Sequence, residues 1–201
     1  RGNAKADLGD KNGAIQDYNK AIELNPNYAN AYYNRGIAKG NLGDNRGAIQ
    51  DFNKFIEVNP NNAIAYYGRG LAKGNLGDNR GAIQDFNKAI ELEPNNAVVY
   101  GNRGFAKGNL GDNQGAIEDY NKAIELEPNN ANAYYNRGIA KFNLQDYRGA
   151  IQDFNKTIEL EPNNAKAYSN RGNAKAGLVD YQGAIQDFNK AIEVNPNYAE
   201  V

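Results

Sequence analysis

The chain contains no cysteine and no histidine. Without cysteine there is no disulfide framework, no thiolate nucleophile and no Cys-based metal site. Without histidine the usual general base near neutral pH and the commonest metal ligand are missing. No metal or cofactor is therefore expected. Methionine is absent too, so Arg1 does not read as a natural start, and the sequence is expected to be a piece of a longer protein. No apolar run approaches the ~20 residues needed to span a bilayer, and no signal-peptide pattern is present. Both observations favour a cytoplasmic location and argue against a membrane partner. Neither sign of charge dominates, with 23 basic residues against 24 acidic ones. A nucleic-acid surface needs a basic excess, so nucleic acid is not expected as a partner either.

Proline is scarce, and its placement is the first positive signal. The six prolines are Pro26, Pro60, Pro94, Pro128, Pro162 and Pro196, each 34 residues from the next. A fixed period of this size marks a stacked repeat array. We number positions within the unit from Ala29, Ala63, Ala97, Ala131 and Ala165. The spacing predicts one array over 1–201. Residues 1–28 form a partial first repeat, and 29–62, 63–96, 97–130, 131–164 and 165–198 are full repeats. Residues 199–201 start a further helix.

Within a unit, Ala31, Tyr32, Ala38 and Leu42 recur at helical spacing, which predicts a first helix with one apolar face. Gly43 suits a helix stop at positive φ, and Asp44 is placed as the N-cap of a second helix. That helix carries Ala48, Ile49, Phe52, Phe55, Ile56 and Val58 and ends before Pro60. Neither helix is long enough to be secure alone, so the apolar faces must pack on each other and on the next unit. Gly36 and Ala48 are small enough for a close backbone approach.

The unit resembles the tetratricopeptide repeat (TPR) in its aromatic Tyr32, Gly36, Ala48, aromatic Phe52 and Pro60. Tyr66, Gly70, Ala82, Phe86 and Pro94 repeat the set, and the resemblance covers the whole chain. It implies an all-α fold, a right-handed α-solenoid of antiparallel helix pairs. It also implies a protein-interaction scaffold rather than an enzyme, with first helices lining a concave groove through positions 2, 5, 6, 9, 12 and 13.

Several residues depart from the commonest TPR pattern. Position 7 is arginine throughout (Arg1, Arg35, Arg69, Arg103, Arg137, Arg171), position 11 is lysine, and position 23 is aspartate (Asp17, Asp51, Asp85, Asp119, Asp153, Asp187). A half-buried arginine needs a counter-charge, so position 7 is expected to pair with position 23. A solvated charge ladder is the alternative. Phe55, where alanine is usual, is expected to open or shift a helix crossing. Gln145 and Val179 replace the turn glycine and are expected to tighten or reshape those turns. Gly101 removes a tyrosine from the first-helix face.

No residues form a singular catalytic constellation, so no catalytic residue is assigned. Lys54 with Glu57 is the pattern of a solvated helix face. Gly43 to Gly47 matches no phosphate loop, and Asn155-Lys156-Thr157 is a chance glycosylation match inside a helix. The binding candidates lie on the groove positions. Position 5 supplies Tyr33, Tyr67 and Tyr135. Position 9 supplies Ile37, Leu71, Phe105 and Ile139, and position 12 supplies Phe142. Asparagines form two ladders, Asn34, Asn102, Asn136 and Asn170 at position 6 and Asn41, Asn75, Asn109 and Asn143 at position 13. A carboxamide both donates and accepts, which suits grip on an extended peptide backbone. The position-6 ladder is similar to that in the TPR arms of protein O-GlcNAc transferases. A carboxylate clamp fits less well, since Lys166 is its one candidate lysine.

The expected partner is a protein or peptide, extended or helical, in the concave groove. Equally open is that the same side chains pack and bond to neighbouring helices and serve the fold. Two further readings stand beside these. One is a self-assembling solenoid, packed head to tail through uncapped ends. The other is the substrate-selecting arm of a larger enzyme.

Overall fold

The structure is a computed structural model, and it describes residues 1–197. The expected further helix at 199–201 and the last position of the fifth full repeat lie outside the described residues. Two compact units are distinguished, Arg1–Ala106 and Lys107–Val201. The first holds α1 (Gly2–Asp7), α2 (Lys11–Leu24), α3 (Ala29–Asn41), α4 (Asn45–Val58), α5 (Ala63–Asn75), α6 (Asn79–Leu92) and most of α7 (Ala97–Asn109). The second holds α8 (Asn113–Leu126), α9 (Ala131–Asn143), α10 (Tyr147–Leu160), α11 (Ala165–Gly177) and α12 (Tyr181–Val194). No strand occurs among the described residues. Within each unit, helices pack pairwise inside a repeat and against the next repeat, as with α3 on α4 and α4 on α5, or α9 on α10 and α10 on α11.

Local chemistry explains the boundaries. Asp44 caps α4 by accepting from the Gly47 N–H at 2.9 Å, and Asp10, Asp78, Asp112, Asp146 and Asp180 cap their helices the same way. Such a cap contributes about 1 kcal/mol. At the other end Gly43 takes φ +84°, and Gly9, Gly77 and Gly111 match it. The turns at Gln145 and Val179 keep the same form, contrary to the sequence expectation. Their φ values are +62° and +67°, and the Asp146 and Asp180 amides donate back to Lys141 and Lys175 as Asp44 does to Lys39. The cap and the returning hydrogen bonds dictate the turn, and the side chain accepts the strain.

The core is built from small residues and rings. Ala31, Ala38 and Ala48 are buried, as are their counterparts in later repeats, and Phe52, Phe86, Tyr120 and Phe154 fill the space between them. Leu42 was expected in this stripe but is 46% exposed, and Val58 is exposed as well. Leu42 is the C-cap residue of α3, in the turn to α4, and Val58 is the last residue of α4.

The volume of Phe55 is absorbed by its neighbours. Phe55 is buried against Tyr33, with ring centroids 5.0 Å apart. Phe52 stands away from Gly36, where an added Cβ would lie 3.3 Å from the ring, against 2.7 Å at Gly70, Gly138 and Gly172. It leans instead over Gly68 of the next repeat, where a Cβ would meet the ring at 2.7 Å. Thr157, at the same repeat position as Phe55, is fully buried and donates its hydroxyl to the Asp153 carbonyl at 3.0 Å.

Candidate functional site

The charges that recur in every repeat serve the fold. The Arg35 guanidinium grips Asp51 with two parallel hydrogen bonds, 2.8 and 2.6 Å, and Lys39 reaches the same carboxylate at 2.8 Å. Arg69–Asp85–Lys73, Arg137–Asp153–Lys141 and Arg171–Asp187–Lys175 repeat the arrangement. The expected position-7 to position-23 pairing is therefore present, and the solvated ladder is not what forms. Each guanidinium also stacks on the tyrosine three residues before it, 5.4 Å away for Tyr32, and donates to an asparagine of the preceding repeat, as Arg35 does to Asn19 at 2.7 Å. The bond from Asp51 pushes the Arg35 pKa up. Burial works to raise the Asp187 pKa, but the bonds and charges of Arg171 and Lys175 outweigh it and hold the carboxyl below its ordinary value.

The groove candidates divide by unit. In the first, a cavity of about 270 Å³ gathers Tyr33, Ile37, Asn41, Tyr67, Leu71 and Asn75, with Phe52, Ile64 and Gly68 among its other walls. Ile37, Ile64, Val98 and Phe105 are exposed apolar side chains on the first helices. Burial pushes the Tyr33 and Tyr67 phenols up, so both stay protonated well above neutral pH and present a hydroxyl. Asn34 lies outside the cavity and donates to Asn3 at 3.3 Å. Asn102 donates to the Tyr67 hydroxyl at 3.4 Å and to the Val98 carbonyl at 2.8 Å. Asn75 donates to Asn45 at 3.3 Å. Sequence reasoning missed Ile64 and Phe52 as walls of this cavity. Ile64 could have been found, since position 2 was already assigned to the groove.

In the second unit, Tyr135, Ile139 and Phe142 are half-buried against the cluster of Ala150, Phe154 and Ala174. Phe142 meets Tyr147 edge-on at 5.3 Å, so a double departure from the repeat fills its own turn. Asn170 donates to the Tyr135 hydroxyl at 2.9 Å, and Asn143 donates to Asn113 at 3.3 Å. Asn109 is also engaged. The asparagine ladders are thus inter-repeat ties in large part. Where both amide hydrogens are used, as in Asn102, only the carbonyl oxygen is left to a ligand. No cluster of potential metal ligands occurs among the described residues.

The same helix-pair architecture is seen in solved structures. Residues 63–96, 131–164 and 165–198 match the family described as tetratricopeptide repeat, and 2–43, 41–77 and 109–145 match its TPR repeat form. The chain belongs to the tetratricopeptide repeat family. A crystal structure of MamA is similar, at 30% identity and TM-score 0.77 over 83% of this chain and 97% of that one. So is YrrB, described as a TPR protein with an unusual peptide-binding site, at 25% identity and TM-score 0.78 over 90% and 94%. The C-terminal part of a TPR repeat-containing protein from Cytophaga hutchinsonii shares the fold at 23% identity and TM-score 0.83, over 96% of this chain and 77% of that one. No curated protein matches the chain by sequence. No TPR helix here, among the described residues, is long and apolar enough to cross a membrane.

Proposed function

We propose that the chain is a non-catalytic scaffold that holds a peptide segment of a protein partner on the first-helix face of its repeats. One observation carries this reading. Six residues nominated by repeat position alone, Tyr33, Ile37, Asn41, Tyr67, Leu71 and Asn75, converge on one cavity in the first unit. Exposed apolar surface next to a recess is what interaction sites expose. In the second unit Asn136, half-buried at the same face, has no hydrogen-bond partner among the described residues and keeps its whole amide for a ligand. The peptide-binding site named for YrrB lies in a chain of the same fold and supports the reading by likeness. The test is a peptide-library pull-down with the intact chain and with Asn102→Ala plus Asn136→Ala. The reading expects captured peptides and a weakened set in the variant. Unchanged capture removes the asparagines from the grip, and no capture at all removes the groove.

A second reading, head-to-tail self-association, is favoured by the outer face of α12. Ile185 is 59% exposed there, whereas Ile49, Ile83, Ile117 and Ile151 at the same repeat position are half-covered. Light scattering across a concentration series, with Ile185→Lys alongside, decides it. A monomer at every concentration dismisses self-association.

A further inference from the structure

We propose that the cavity between α3 and α5 is a socket for a single bulky, uncharged apolar side chain, Phe or Leu in size, presented by an extended segment of a partner protein. The proposal rests on the groove reading above and narrows it. Its origin is a pair of departures. Elsewhere position 6 carries asparagine and position 27 a small residue. Here Phe55 moves Phe52 over Gly68, and Gly68 has no side chain to fill the mouth. Phe52, Leu71 and Ile64 are thereby left as apolar walls of the recess.

Size and charge select the occupant. A volume of about 270 Å³ is that of roughly nine waters at ~30 Å³ each, room for one large side chain. An amphipathic helix would need several anchors along i, i+3, i+4 and i+7. None of the residues around the cavity carries a charge, and an unpaired charge entering it loses hydration without compensation. The polar side chains lining it are Tyr33, Asn41, Asn45, Tyr67 and Asn75. Asn75 already donates to Asn45 and Tyr67 accepts from Asn102, so Asn41 and the Tyr33 hydroxyl are the least committed of them. Those match the N–H and C=O groups of an extended backbone, which point sideways while alternate side chains point in.

Fluorescence anisotropy tests this with the full chain and labelled Ser/Asn-rich peptides that carry proline on both flanks to prevent helix. The central residue is Phe, Ala or Lys. We expect the Phe peptide to bind about tenfold or more tighter than the Ala peptide, from the area one aromatic buries, and the Lys peptide to bind no better than Ala. Ile64 is 52% exposed, so Ile64→Lys leaves the fold intact by circular dichroism. It should erase the Phe preference, bringing the Phe peptide down to the affinity of the Ala peptide in the same variant. Peptides that bind with equal affinity whatever the central residue overturn the socket and leave the groove reading standing. A Phe preference that survives both Ile64→Lys and Ile37→Lys places the anchor elsewhere and also overturns it. A helical Phe peptide that binds tighter than the extended one overturns the extended occupant. If no peptide binds, the groove reading falls with it.

Discussion

Removing Asp153 should cost more than removing any surface carboxylate of the chain, and the size of that loss tests the repeat's charge network. Asp153 is 4% exposed and holds Arg137, 17% exposed, at 2.6 Å and Lys141 at 2.8 Å. In Asp153→Ala both cations lose their counter-charge in a half-buried setting. Truncating one partner of a buried pair costs about 3–5 kcal/mol. The low end applies here, because flexible stems carry Arg137 and Lys141 heads toward water. Arg137→Met keeps the stem and removes the two-pronged bond, at about 1.5–3 kcal/mol for hydrogen bonds to a charged group. It leaves Lys141 on the aspartate. The two substitutions therefore overlap, and a double-mutant cycle should return a coupling of about 1.5–3 kcal/mol. Urea unfolding followed by circular dichroism measures it, with constant slope as the check that the unfolded state is unchanged. A coupling below about 0.5 kcal/mol, the range of exposed pairs, refutes the argument that burial makes this network strong.

Other consequences follow from single features. Val179 holds φ +67° and is 68% exposed, so Val179→Gly removes about 1–2 kcal/mol of left-handed strain against about 0.5–1 kcal/mol of glycine entropy. A rise in melting temperature is expected, and a fall would contradict it. Asp187 is held below the ordinary carboxylate value of 3.8, so its pairing contributes fully above that pH and is lost as pH falls through the lower folded value. Denaturant midpoints should drop in that acid window, and Asp187→Asn should flatten the drop. Phe55→Ala opens a cavity at about 3–5 kcal/mol, and Gly68→Ala crowds Phe52. The double variant should recover part of both losses, whereas strict additivity would show that the two positions do not compensate.

The fold was legible because one helical pattern is written six times in the same register. Periodicity placed the helices, and single residues with one strong preference, Asp44 and Gly43, placed their ends. The Arg35–Asp51 pair was legible because a buried charge has few solutions. The third member, Lys39, was missed although the signal was available, since residues four apart on a helix share a face. Leu42 was misplaced because the apolar periodicity runs on past the last residue of α3 into the turn. The turn at Val179 was misjudged because residue preference was weighed without the hydrogen bonds on both sides of it. That the asparagines bond to neighbouring helices was an open alternative in the sequence, but the partner each one takes was not legible. Most of them lie one repeat away, and a pattern within one repeat says nothing of what the neighbouring one presents.

That last failure bears on function. The most regular polar groups are the most committed: arginine to aspartate and to the preceding repeat, position-6 asparagine to the preceding tyrosine in Asn102 and Asn170. A side chain whose hydrogen bonds are already made adds little to a ligand's affinity, since binding must first undo them. On the groove reading proposed above, capacity for a partner would concentrate where the ladder breaks, at Gly68 in the first unit and Asn136 in the second. In the first, Gly68 deletes an asparagine and leaves an apolar recess. In the second, Asn136 has no hydrogen-bond partner among the described residues. The two gaps differ in chemistry, one apolar and one hydrogen-bonding. On that groove reading, a ligand would be read by the departures from the repeat rather than by the repeat itself.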